Sequence, residues 1–352
     1  MQYQKTILVA PLHWGLGHAT RCIPIIQALI DHGYKPLIAS DGAALELLRK
    51  EFPEEESMEL PSYQITYSKK ASGFLWKLIL DSPKMLKAIK KERKVVKALV
   101  KEGRIQGIIS DNRLGVRSKK VPSVFITHQL NVLTGSTTKL STYLHQEIIK
   151  KFDACWVPDF EGNDNLSGKL GHPDELLENT VYIGPLSRMK KQNLEKKYDL
   201  LVLLSGPEPQ RTMLEEKLME ELRGKNKKIL FVLGKVEEQM HCHTDGNLRI
   251  YNYMGAKALE KAINESEWVL SRSGYTTIMD LAVLEKKAFF IPTPGQFEQE
   301  YLAKRLKTKG IVPSCSQESF TYNKLESVKL FSGLKNKENN IDFLELFRLF
   351  EG

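Results

Sequence analysis

Two stretches decide how this chain folds: residues 5–21, KTILVAPLHWGLGHATR, and residues 268–282, WVLSRSGYTTIMDLA. Each passes from a short apolar run through a turn of small residues into a segment of helical spacing, the strand–turn–helix unit of parallel sheets. Outward from the first, strands are expected at Lys5–Pro11, Lys35–Asp41, Gln64–Ser68, Gly107–Ser110, Ser123–His128, Ala154–Pro158 and Val181–Gly184. Helices at His18–His32, Ala43–Glu51, Gly73–Lys101 and Thr137–Phe152 fill the gaps. Around the second stretch a fresh series begins, with strands at Leu200–Leu204, Lys228–Leu233, Leu248–Tyr251, Trp268–Ser271 and Ala288–Pro292.

Between the two series lies GPLSRMKKQNLEKKYD (184–199), which has Gly, Pro and a charge run but no apolar periodicity. The expected class is therefore α/β, with two Rossmann-like, doubly wound parallel-sheet domains at 1–184 and 200–340 joined by a linker at 185–199. Two such halves joined once are expected to face a cleft across the carboxyl ends of their strands, where ligands of these folds bind. Residues 341–352 carry Ile341, Phe343, Leu344, Leu346, Phe347 and Phe350 at helical spacing, and are expected to pack back on the first domain as a helix.

Composition narrows the function. With 352 residues, 41% hydrophobic, and 52 Lys plus Arg against 43 Asp plus Glu, disordered and fibrous classes are excluded. No apolar run approaches the roughly 20 residues of a membrane span, and MQYQKTILVAP leads straight into a strand, so the expected location is the cytoplasm. Cys22, Cys155, Cys242 and Cys315 lie far apart, which suggests neither a disulfide framework nor a Cys-x-x-Cys zinc site. His241-Cys242-His243 lacks an acidic partner at ligand spacing, and no metal is expected. Much of the positive charge falls between Lys84 and Arg104, where nine Lys or Arg face only Glu92 and Glu102. Met85, Leu86, Ile89, Val96 and Val100 recur there at helical spacing, as in a one-sided helix with either a solvated basic face or a face for anionic lipid. Nucleic acid is not an expected partner, because no aromatic residues interleave the basic ones.

The turn Gly15-Leu16-Gly17-His18 opens a helix whose first N–H groups attract negative charge, and its glycines allow a ligand close to the backbone. A dinucleotide fingerprint needs a third glycine where Thr20 stands, so the turn suits a phosphate or a sugar better, despite Asp41 closing the second strand. His18, in the first helical turn, would be kept neutral by the helix dipole, as a general base requires, or would only cap the turn. Asp111, ending a strand, is placed either to orient His18, to bind acceptor hydroxyls, or to close a turn, and His128 and Gln129 end the next strand. In the second half, Ser273, Gly274, Thr276 and Thr277 offer hydroxyls and N–H groups at a helix start, where a diphosphate fits. Asp280 lies further along that helix, near where a carboxylate accepts the hydroxyls of a ribose. Gln299 and Glu300 follow a Pro-Gly loop, and Gly206 and Arg211 lie at the opening of the second domain's first helix, placed to approach and neutralise phosphates.

Taken together, these segments resemble glycosyltransferase family 28, the MurG-like enzymes. The specific part runs from Ser271 to Ala303: the Ser-Arg-x-Gly turn, a carboxylate six residues after the glycine, the Pro-containing loop and a Gln-x-Tyr, all in order. The resemblance implies a GT-B fold whose second half binds a UDP-sugar, with Asp280 on the ribose and Gln299 and Glu300 on the sugar. It also implies that the backbone around Tyr251 to Met254 reads uracil. Asp280 is one methylene shorter than the family's usual Glu, and Glu300 stands where a second Gln is common. The first half is less similar, although Gly15, Gly17, His18 and Arg21 also match the Gly-x-Gly-His-x-x-Arg of PseG-type UDP-sugar hydrolases. The expected activity is inverting, metal-independent transfer of a hexose, N-acetylglucosamine or another, from a UDP-sugar donor to a hydroxyl of a cell-envelope glycan or lipid-linked acceptor. No cofactor is expected, and the basic helix is expected to touch an anionic membrane peripherally. The alternatives are a UDP-sugar hydrolase and a binding protein without turnover.

Overall fold

The computed structural model describes residues 5–63, 74–235, 237, 239–337 and 341–352. The strand expected at Gln64–Ser68, and Gly73, lie outside them. The chain divides into two compact units, the first made of Met1–Ser68, Gly73–Arg188 and Glu338–Gly352, the second centred on Met189–Lys337.

In the first unit, β1 (Thr6–Pro11), α1 (Gly17–Asp31), β2 (Lys35–Ser40), α2 (Gly42–Glu51) and β3 (Ser57–Glu59) are followed by α3 (Phe74–Lys101). Then come β4 (Gly107–Asp111), β5 (Ser123–Ile126), α4 (Thr138–Ile149), β6 (Ala154–Val157) and β7 (Thr180–Tyr182). The seven strands are all parallel, in the order β3-β2-β1-β4-β5-β6-β7. Winding therefore reverses between β1 and β4, and their carboxyl ends, Pro11 beside Asp111, form a topological switch point. Central strands buried on both faces must be apolar throughout, which is why TILVAP and GIISD read as continuous runs. On α3 the apolar stripe Met85, Ile89, Val96, Leu99 packs inward, whereas the nine Lys and Arg between Lys84 and Arg104 are all exposed.

The second unit contains β8 (Tyr198–Leu203), α5 (Gln210–Leu222), β9 (Ile229–Val232), β10 (Cys242–Asp245), β11 (Leu248–Tyr251) and α6 (Ala256–Asn264). β12 (Ser266–Ser271), α7 (Tyr275–Val283), β13 (Lys287–Phe290) and α8 (Phe297–Thr308) complete it. Strand order is β10-β11-β9-β8-β12-β13, parallel except for the β10–β11 hairpin at one edge. The switch point here lies between β8 and β12. β10 carries the His241-Cys242-His243 tract; with no apolar residue in Cys242–Asp245, its sequence gave no strand signal. Residues expected to form the later part of a linker are tied to this unit: the backbone N–H groups of Lys190 and Gln192 donate to Glu260 Oε2 (2.8 Å) and Asn264 Oδ1 (3.0 Å). Polar side chains make this attachment, so apolar periodicity does not reveal it.

The chain ends in α9 (Phe343–Phe347) and a helical turn at Arg348–Phe350. Within the first unit, Phe347 and Phe350 are buried among Tyr34 and Trp156, and Lys5 Nζ donates to the carbonyls of Phe350 (2.8 Å) and Glu351 (2.9 Å). Removing an aromatic ring from such a site leaves a cavity and costs about 3–5 kcal/mol. Phe350→Ala is accordingly expected to destabilise the first unit by that amount, read as a lower urea midpoint in Trp156-dependent fluorescence.

Candidate active site

Four polar side chains meet at the switch point of the first unit. α1 presents His18 and Arg21 one turn apart on the same face, β4 ends in Asp111, and His128 follows β5. His18 Nδ1 lies 2.8 Å from Asp111 Oδ1, Arg21 Nε donates to Asp111 Oδ2 at 2.5 Å, and Arg21 Nη2 also pairs with Oδ1. Arg21 Nη1 reaches His128 Nδ1 at 3.1 Å. Asp111 and Arg21 are buried, and the His18 side chain is 16% exposed.

Burial alone would raise the Asp111 carboxyl, but the Arg21 guanidinium and then His18 override it and hold the group well below the usual carboxylate range. Burial lowers the pKa of His18, Arg21 and His128 push the same way, and Asp111 pulls against them with a smaller net effect. Arg21 Nη2 also lies 2.9 Å from His18 Nδ1; in the tautomer that gives Nδ1–H to ionised Asp111, the neutral imidazole has its lone pair on Nε2. Among the described residues, the hydrogen-bond contacts of the ring fall on Nδ1. This is the arrangement of an oriented general base. Because the folded-state pKa lies below the ordinary 6.5, the ring stays neutral at pH values where a free histidine is half charged. NMR titration of His18 is expected to give a midpoint below 6.5, and Arg21→Gln is expected to move it upward.

Next to this cluster is a second one. Arg113, fully buried, donates from Nη1 to Glu92 Oε1 (2.9 Å), from Nε to the Pro11 carbonyl (3.0 Å), and pairs through Nη2 with Asp41. Asp41 is thus engaged by Arg113 and by His13 Nδ1 (3.2 Å), which removes the ribose-binding role a dinucleotide reading would need. Burial lifts the Glu92 carboxyl above its usual range against the pull of Arg113. The sequence did carry a signal for Glu92, since it falls in the stripe of Met85, Ile89, Val96 and Leu99 and not on the basic face of α3. Arg113→Leu would leave two buried carboxylates uncompensated, a loss of about 3–5 kcal/mol near pH 7. Without Arg113 the buried Glu92 carboxyl would lie still further above its unfolded value, so the loss is expected to shrink as pH falls through that raised value. Denaturant unfolding across that range checks it.

In the second unit the sequence-predicted residues separate into two groups. Gly206, at φ +106°, and Gly274, where an added Cβ would meet nothing within 4 Å, leave open backbone at the carboxyl ends of β8 and β12. Thr276 and Asp280 stand four residues apart on one partly exposed face of α7, whose N-terminus has no side-chain cap. Gly206 and Gly274 thus leave backbone open to a ligand. By contrast, Ser273 Oγ donates to the Gln299 carbonyl (2.8 Å) and ties α7 to α8. The Gln299 amide accepts from Thr293 N (2.9 Å) and donates to Gln296 Oε1 (2.6 Å), while Glu300 Oε1 accepts from Gly295 N (2.8 Å). Gln299 and Glu300 therefore build the Pro-Gly loop with their own side chains.

Arg211 differs from its expected role of neutralising phosphates. Its buried guanidinium is held by Glu208 Oε1 (2.7 Å from Nε), Glu215 Oε2 (2.6 Å) and the Leu233 carbonyl (3.2 Å), so its charge is already compensated by carboxylates one turn either side. Tyr251 and Met254 line a cavity of about 290 Å³ between the sheet and α6, with Tyr198, Arg249 and Lys261, and none of the turn residues borders it. The Tyr251 carbonyl accepts from Leu233 N (2.9 Å) within the sheet-end loops.

Three atoms near the glycine turns were not anticipated. Thr293 Oγ1, Arg272 Nε and Gln210 Oε1 are buried with no hydrogen-bond partner. Arg272 is 2% exposed and joins three loops, donating to the carbonyls of Gln210 (2.8 Å), Ile291 (3.2 Å) and Pro292 (3.0 Å) and to Gln317 Oε1 (2.7 Å). Burial pushes its guanidinium down to about 10. Thr293 Oγ1 is 3.8 Å from where a Gly206 Cβ would stand. Unsatisfied buried polar atoms are costly, and Thr293 Oγ1 is the one of these that the structure places beside the open backbone at Gly206.

Residues 209–342 match the glycosyltransferase family 28 C-terminal domain. An uncharacterized glycosyltransferase of Methanosarcina acetivorans is 23% identical over 84% of this chain and 82% of its own length. A UDP-N-acetylglucosamine–N-acetylmuramyl-(pentapeptide) pyrophosphoryl-undecaprenol N-acetylglucosamine transferase of Clostridium botulinum is 22% identical over 93% of this chain and 89% of its own. Among solved structures, MurG of Acinetobacter baumannii superposes with a TM-score of 0.58 at 13% identity, covering 99% of both chains. The glycotransferase of kitacinnamycin reaches 0.65 at 13% identity, covering 99% of this chain and 95% of that one. The fold is thus GT-B. All four are named as glycosyltransferases or, for MurG, belong with them, and the hydrolase alternative finds no support in these matches.

Proposed function

We propose that this chain, whose residues 209–342 match the glycosyltransferase family 28 C-terminal domain and whose fold is GT-B, transfers a hexose from a UDP-sugar to a hydroxyl of a cell-envelope glycan or glycolipid. N-acetylglucosamine is the first sugar to test, because the Clostridium botulinum relative is named for that donor. The observation that carries the reading is the open backbone at Gly206 and Gly274, at the carboxyl ends of adjacent strands, with the unpartnered Thr293 Oγ1 beside Gly206. A nucleotide diphosphate and its sugar bring the oxygens that such groups lack, and the uncapped start of α7 favours the negative charge.

In this scheme the acceptor hydroxyl gives its proton to His18 Nε2 as its oxygen attacks the anomeric carbon from the side opposite UDP. The bond from that carbon to the diphosphate oxygen breaks, and the sugar inverts. Asp111 fixes the ring so that Nδ1 keeps its proton and stabilises the imidazolium that forms; Arg21 keeps Asp111 ionised. Negative charge that grows on the departing diphosphate is met by the N–H groups at the start of α7, with Thr276 beside them and Asp280 on the ribose. No metal enters the scheme. The exposed cations of α3, with Leu86 exposed among them, would hold the enzyme on an anionic membrane where a lipid-linked acceptor resides. Among the described residues no helix is long and apolar enough to cross a membrane.

The test is UDP release from a panel of UDP-sugars, with and without a cell-envelope lipid extract. Wild type is expected to release UDP only when the extract is present, with a loss of about 10²–10⁴-fold in His18→Ala, the range for removal of a general base. Asp280→Ala is expected to raise the KM for the donor. Equal release with and without extract would replace the transferase by a hydrolase, and donor binding without release would make it a binding protein.

A further inference from the structure

The first unit holds a second histidine–carboxylate pair that the scheme above does not use. His13, on the loop that leaves β1, points Nδ1 at Asp41 Oδ2 (3.2 Å), as His18 points Nδ1 at Asp111. Each carboxylate is in turn held by a buried arginine, Asp41 by Arg113 and Asp111 by Arg21. The register makes the parallel spatial: Pro11 of β1 stands beside Asp111 of β4 on one side, and Val9 stands beside Ile38, which brings Asp41 to the end of β2 at the same level on the other. Two strand spacings separate the carboxylate-bearing backbones, about 10 Å.

His13 is built into its place. Its ring lies against Gly42, where an added Cβ would fall 2.4 Å from His13 Cε1, and Gly42 has φ +49°, so both space and backbone reserve that position for glycine. The side chain nonetheless remains 32% exposed, and among the described residues Nδ1 carries its hydrogen-bond contact. A histidine that only filled space would have no need of a buried carboxylate anchored by an arginine. With Nδ1 taken up by Asp41, Nε2 is, among the described residues, the ring nitrogen left to pair with a hydroxyl.

We propose that His13, positioned by Asp41 and Gly42, binds a second hydroxyl of the sugar-like acceptor and thereby fixes which hydroxyl reaches His18. The inference rests on the acceptor reading of the first unit. An acceptor with hydroxyls spaced across one or two sugar rings spans both pairs; an acceptor with one hydroxyl spans only one. His13 is thus a binding and specificity residue, and His18 the base.

The test measures binding of octyl β-glycosides of glucose, galactose and N-acetylglucosamine to the full-length protein by intrinsic tryptophan fluorescence, for wild type, His13→Ala and His13→Gln. At least one glycoside is expected to bind wild type about tenfold more tightly than His13→Ala, the effect of one hydroxyl hydrogen bond. His13→Gln, whose amide oxygen can accept, is expected to recover part of that. UDP affinity is the folding control and is expected to be equal in all three. Equal glycoside affinity in wild type and His13→Ala, or no glycoside binding by wild type, overturns the role of His13. The transferase reading fails separately, if wild type releases no UDP from any donor with the envelope extract.

Discussion

Arg113 has no exposed surface, and the first unit is arranged around that fact. A buried guanidinium is tolerable only when its donors and its charge are answered in place. Here the answers come from Asp41 beyond β2, Glu92 on α3, and the carbonyls of Pro11 and Pro61. Tyr63 Oη then donates to Glu92 Oε2 (2.8 Å), and Gly115 N reaches the same oxygen at 3.0 Å. One side chain therefore fixes the ends of β1, β2 and β4 against α3, and those ends carry His13, His18 and Asp111. Loss of the ion network would not merely weaken the unit; it would release the loops that set the geometry of both histidines.

The same solution recurs in the second unit with neutral partners. Arg272 is buried without a carboxylate among its hydrogen-bond acceptors, and holds the starts of α5 and α7 and the loop after β13 through carbonyls and one amide. The two arginines differ in what they leave over. Arg113 and its carboxylates close a nearly self-sufficient network. Arg272 retains net positive charge and an unpartnered Nε at the place where an anionic donor is proposed to bind. This difference in compensation fits a first unit that handles neutral hydroxyls and a second that handles a diphosphate.

In the proposed scheme His13 bears on specificity, whereas His18 bears on rate. Positioning a hydroxyl against a base requires at least one further contact on the acceptor, or the substrate pivots about the single point it shares with the enzyme. His13 and His18 come from one loop-to-helix segment of six residues, yet their carboxylates come from the ends of strands on opposite sides of β1. The parallel sheet brings these together because its winding reverses at β1. Sequence distance and spatial proximity are decoupled by the topology itself.

By itself the sequence determined the α/β class, the restart of the strand series near Leu200, the two glycine turns, His18 and the basic face of α3. All are local: period-two and period-3.6 patterns and turn chemistry act over a few residues, so short windows hold them. It also carried the Ser271–Ala303 pattern, which falls inside the residues that match the family 28 C-terminal domain. Only the tertiary structure decided which polar groups are available. Arg211, Ser273, Gln299 and Glu300 look like ligand-binding groups in the linear chain, but their side chains already hold hydrogen-bond partners within the second unit. Thr293, Arg272 and His13 give no such impression, yet each ends with a polar atom facing an opening or lacking a partner. The edge strand β10 was hidden for a related reason, since a four-residue register on one neighbour needs no apolar face. A hydrogen bond is satisfied by whatever the fold brings within about 3 Å, and that neighbour is set by strand order and register, which no short window of sequence contains.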